Sequence, residues 1–117
     1  MGNSISHVEV VGKDGAALQN FYSQLFGWEF DTDNDFGYGN LDGAGTNVSV
    51  GVGGVGEEGQ PGHATFYVEV DDLEATLEKA GSLGGQTVVP VTVIPDMVTF
   101  ALLADPEGNV IGITKGG

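Results

Sequence analysis

Cysteine is absent from this 117-residue chain, and so is arginine. Without cysteine there can be no disulfides, no thiolate metal ligands and no thiol nucleophile. The absence fits a reducing cytoplasm, which is the localisation expected here. Three lysines (Lys13, Lys79 and Lys115) face seventeen acids, giving a formal net charge of −14. A nucleic-acid binder neutralises phosphates with Lys and Arg, so no nucleic-acid partner is expected. The same shortage argues against nucleotides or coenzyme A held by a bidentate guanidinium fork. No run of eighteen apolar residues occurs, so neither a membrane-spanning helix nor a membrane partner is expected. The opening MGNSISHVEV also lacks the basic-then-apolar order of a secretory signal.

What the chain has in excess is acid and glycine. A field of −14 attracts cationic ligands and repels anionic ones, besides keeping a surface soluble. The 21 glycines concentrate in residues 36–63, where valines alternate with them, so part of that region reads as glycine-containing strand. Its remainder, residues 54–62, reads as a linker.

Periodicity shows one order of elements twice. SISHVEVV alternates as a strand, and DGAALQNFYSQLFG follows as a helix with Asp14 as its cap and Gly27 as its stop. Three short strands are expected in WEFDTD, FGYGNLD and TNVSVGVG. After the linker come the strand HATFYVEV and the helix DDLEATLEKAGSLGG, capped by Asp72. QTVVPVTVI, MVTFALLAD and NVIGITK then make a second set of three strands. Asp14 to Gly27 spans the same distance as Asp72 to Gly85. The expected fold is α+β, with two tandem βαβββ modules forming a curved mixed sheet, a cup with the helices on its outer face. Module one is expected over 1–53 and module two over 63–117, within a single domain.

HVEVVGKDGAALQNFYSQLFGWEF, FYVEVDDLEATLEKAGSLGG and FALLADPEGNVIG, in that order and spacing, resemble the vicinal oxygen chelate superfamily, the glyoxalase/bleomycin resistance/dioxygenase family. The resemblance implies the paired βαβββ fold and a homodimer. In metal-dependent members it implies four ligands on the first and last strands of each module. Here His7 stands in the first position. The second has no acid, and Ser49 is its nearest match. The third is Thr65, with His63 two residues before it, and the fourth is Gly112. One ligand in register and one near miss do not make the imidazole–carboxylate set such a site needs. No metal or other cofactor is therefore expected. A divalent ion held through His7 and His63, with help from Glu9 or Glu69, is the alternative.

Strand parity turns His7, Glu9, Asn47, Ser49, His63, Thr65, Tyr67, Glu69 and Gly112 toward the cup. Trp28, Phe30, Phe36, Tyr38 and Phe100 are candidate aromatic walls. A few polar groups among apolar ones is the composition of a small-molecule site. The function expected is binding of a small, cationic or aromatic molecule, similar to the bleomycin resistance members. The alternative is a lyase or epimerase of the glyoxalase I type with a rearranged site. A metal-free enzyme would use Glu9 or Glu69 as base beside His7.

Overall fold

The computed structural model describes residues 2–41, 48–54 and 62–116. Asn47 and nearly all of the expected linker lie outside these. Two compact units are present, His7–Ala64 on one hand and Met1–Ser6 with Thr65–Gly117 on the other. Both units contain strands and a helix, and the class is α+β.

In the first module β1 (Ile5–Gly12) leads through α1 (Gly15–Phe26) to β2 (Phe30–Asp31), β3 (Gly39–Leu41) and β4 (Ser49–Gly54). The strands lie in the order β2-β3-β4-β1. β4 runs parallel to β1, placing Ser49 opposite His7 and Gly51 opposite Glu9. Parallel neighbours need a crossover, and α1 lies within it. Asp14 starts that helix by accepting from the Ala17 N–H at 3.0 Å. Gly27 ends it in the left-handed conformation (φ 72°), its N–H bonded to the Ser23 carbonyl. β4 alternates as its sequence does. Val50 and Val52 are buried on one face, and Ser49, Gly51 and Gly53 lie on the other.

The second module repeats the plan with β5 (His63–Val70), α2 (Leu73–Ser82), β6 (Gln86–Ile94), β7 (Val98–Ala104) and β8 (Val110–Lys115). Its strand order is β5-β8-β7-β6. β5 and β8 are parallel, with Tyr67 opposite Gly112. Val70, Leu73, Ala101, Leu103 and Ile113 form its core, so α2 covers the sheet through Leu73, with Leu77 and Ala80 packed beside it. Asp72 caps α2 through the Ala75 N–H at 3.0 Å.

The structure differs from the periodicity in three places, the first being that the strand expected over 28–33 forms only over Phe30–Asp31. In the segment expected as a strand over 36–42, residues 36–38 are not strand and β3 takes up Gly39–Leu41, position 42 lying outside the described residues. Ahead of it the Asn34 carboxamide accepts from the N–H groups of Phe36 and Tyr38, which closes a turn. The apolar stripe of α1 is also incompletely covered. Phe21, Leu25 and Phe26 are more than half exposed, and no α1 residue is fully buried.

Candidate functional site

β1 is extended, so His7 and Glu9 project from the same face, two residues apart. Parallel pairing places Ser49 beside the first and Gly51 beside the second. Since Gly51 carries no side chain, its place is taken by the Tyr38 ring. A Cβ at Gly51 or Gly53 would run into that ring. The Tyr38 backbone is fixed in turn. Asn34 Nδ2 donates to the Tyr38 carbonyl at 2.7 Å, and Gln19 Nε2 reaches from α1 to the carbonyls of Gly37 and Val52.

Four side chains of this module, with His63 from the start of β5 in the same compact unit, consequently join in one hydrogen-bonded array. His7 Nδ1 lies 2.8 Å from Ser49 Oγ, and His7 Nε2 lies 2.8 Å from Tyr38 Oη. The Tyr38 hydroxyl donates to Glu9 Oε1 at 2.9 Å. His63 Nε2 lies 3.2 Å from Glu9 Oε2. The Glu9 side chain is only 12% exposed, so its charge is held by these partners rather than by water.

Proton bookkeeping orders the array. A phenol has one proton, which Tyr38 gives to the carboxylate, so Tyr38 Oη accepts from His7 Nε2–H. That leaves the neutral imidazole with its lone pair on Nδ1, where the Ser49 hydroxyl donates. Burial pushes the His7 pKa below its ordinary value, with the nearby Glu9 charge opposing the shift. The imidazole is therefore neutral at pH 7.

The other residues singled out from the sequence are placed differently. Thr65 Oγ1 donates to the Val110 carbonyl at 2.6 Å, within its own module's sheet. Tyr67 is buried, and its ring takes the room that Gly112 leaves, edge-on to Phe100. The exposed Glu69 has its carboxylate beside Gly116. Trp28 stacks with Tyr22, packs at a tilt against Phe26 of the same helix, α1, and meets Phe30 edge-on. Phe36 is 66% exposed. Asn34 and Gln19, which position Tyr38, were not singled out. Asn34 could have been, since an Asn shortly before Phe-Gly-Tyr is a turn signal.

A divalent ion does not fit these residues as they stand. Both nitrogens of His7 and both oxygens of Glu9 are engaged by side chains. Gly112 offers no donor, and the Tyr67 ring lies over it. Among the described residues, no three His, Asp or Glu side chains come together as a metal set.

Comparison with known proteins places the chain. The profile of the glyoxalase-like domain matches residues 7–114. CFP32 of Mycobacterium bovis, provisionally named a glyoxylase, is 30% identical over 112 residues. That match takes in 91% of this chain and 43% of CFP32, so the chain spans less than half the length of this curated relative. Methylmalonyl-CoA epimerase from Mycobacterium tuberculosis superposes with a TM-score of 0.65 at 14% identity, over 97% of this chain and 87% of that one. A glyoxalase/bleomycin resistance protein/dioxygenase superfamily member from Vibrio splendidus 12B01 does so at 0.62 and 17%, over 98% and 100%. At such identities the two structures speak for the fold alone. With the family profile spanning nearly all of both modules, the chain belongs to the glyoxalase-like domain family.

Proposed function

We propose that this domain binds a small organic molecule at the Ser49–His7–Tyr38–Glu9–His63 array without a bound metal ion. The observation that carries the reading is the mutual engagement of those side chains. An ion at His7 would have to displace Ser49 or Tyr38, and one at Glu9 would have to displace Tyr38 or His63. A ligand needs only to share hydrogen bonds with them. The net charge of −14 and the Tyr38 ring favour a cationic or aromatic molecule. The domain acts in the cytoplasm, a placement supported by the lack of cysteine, and it works as a homodimer.

Calorimetry on the purified protein separates this from the metal-dependent alternative. Nickel, zinc and iron(II) are expected to give no stoichiometric heat. A basic glycopeptide or an aromatic amine is expected to bind and to raise the melting temperature, with both effects lost in Glu9→Gln. Tight uptake of one metal ion per chain, abolished by His7→Ala, would instead establish a lyase or epimerase of the glyoxalase I type with a rearranged site.

A further inference from the structure

We propose that Ser49 is a nucleophile and that the domain hydrolyses neutral or cationic carboxylic esters through an acyl-serine intermediate. The inference rests on the same array being the ligand site, and it adds a reaction to it. It starts from the direction of the hydrogen bonds. The one imidazole lone pair in the array points from His7 Nδ1 to an exposed serine hydroxyl at 2.8 Å. The opposite edge of the ring is held by Tyr38, and Tyr38 by Glu9. Nucleophile, base and an orienting carboxylate thus stand in the order that activates serine, with a phenol inserted between base and acid. A serine whose hydroxyl merely filled space would need no such ordering behind it.

The step balances with water as the only co-reactant. Ser49 Oγ attacks the ester carbonyl carbon while its proton passes to His7 Nδ1. The tetrahedral adduct then expels the alcohol oxygen, which takes that proton from His7, and an acyl-Ser49 ester remains. Water attacks this ester, gives a proton to His7, and Ser49 recovers its own as the carboxylic acid leaves. Throughout, the imidazolium faces the Tyr38 oxygen, whose own O–H donates to Glu9, so the developing cation is stabilised through the phenol. Ser49 and His7 are the catalytic residues, and Tyr38 and Glu9 position the imidazole. The substrate's charge follows from the chain's. A net charge of −14 with Glu9 beside the base disfavours acyl phosphates and coenzyme A thioesters and favours cationic oxygen esters such as acetylcholine.

The experiment uses p-nitrophenyl acetate and acetylcholine as substrates and a fluorophosphonate as the trapping reagent. The expected result is a burst of p-nitrophenol with one acetyl group per chain. Peptide mass spectrometry places both that group and the fluorophosphonate adduct on Ser49. Ser49→Ala loses burst and labelling, and since Ser49 is exposed its loss leaves the fold intact by circular dichroism. His7→Gln slows acylation by about 100-fold or more, and Tyr38→Phe by about tenfold. Glu9→Gln removes the charge that raises the His7 pKa, so its rate profile reaches half-maximum at a lower pH, which a purely structural role would not move. Wild-type rates in Ser49→Ala, or label on a lysine or tyrosine, would overturn the proposal. Calorimetric binding of a cationic ligand without any acylation would also overturn it, while leaving the ligand-binding reading intact.

Discussion

A methyl group at position 51 would land on the Tyr38 ring, and one at position 112 on the Tyr67 ring. Glycine in these strands is therefore a slot for a tyrosine. This is why a stretch that looks merely flexible in sequence is a fitted part of the sheet. Gly51→Ala should cost about 1–3 kcal/mol by overpacking and should weaken the Tyr38 bonds to His7 and Glu9. In a Tyr38→Ala background the same substitution should be nearly neutral. A denaturation cycle on the four variants measures the coupling, and additive costs would show that the ring is not what fills the slot. His7 allows a second test. Its pKa is lowered in the fold by burial, so below about pH 6.5 the unfolded chain binds the extra proton first. Its contribution is thus complete above that pH and is lost as the pH falls through the depressed value. Melting temperatures from pH 7.5 to 5 should drop more steeply for the wild type than for His7→Gln. Using the difference between variants removes the opposing trend from neutralising other acids.

The helices follow from the sequence because their ends are written locally. Asp14 and Asp72 each stand three residues before the N–H they accept, and Gly27 supplies the left-handed stop. Asp72→Ala should therefore cost about 1 kcal/mol in chemical denaturation, while Asp72→Asn costs little; equal losses would mean that charge rather than the cap bond matters. β5 is legible because alternation over 63–70 marks a strand. In β6 the VVPV run marks the strand but not its register with β7, which shifts between Thr87 and Val89 and again between Val89 and Thr92. β3 is not legible in full, because Asn34 competes for the backbone that alternation assigns to a strand. The array is legible only in half. Parity aligns His7 with Glu9 and the register adds Ser49, all from strand geometry. Tyr38 reaches them from a turn 29 residues away from Glu9, a distance no local pattern encodes. The exposure of Phe21, Leu25 and Phe26 on α1 is likewise beyond periodicity, which gives an apolar face but not what covers it.

At the scale of the whole chain the two modules use equivalent places for different ends. The spacing to the helix caps pairs His7 with Thr65 and Glu9 with Tyr67. In the second module Tyr67 fills the space beside its partner glycine and Thr65 bonds a carbonyl, so that place is spent on packing. In the first, the tyrosine comes from elsewhere and the strand positions stay polar. The duplication thus fixes where a site can stand, and only one copy keeps a titratable pair there. Charge acts on the same scale. Seventeen acids against three lysines repel one another within a chain and between chains. The screening length is about 30 Å in 0.01 M salt and about 3 Å at 1 M, so salt should release both penalties. Thermal stability is expected to rise with sodium chloride. In sedimentation velocity the proposed homodimer is expected to strengthen with it, since Phe21, Leu25 and Phe26 offer exposed apolar surface whose burial does not weaken in salt. Association that falls as salt is added would mean the subunits meet through charge pairs. A monomer at every protein concentration in both low and high salt would remove the dimer from the account, and the array, which lies within one compact unit of one chain, would have to work alone.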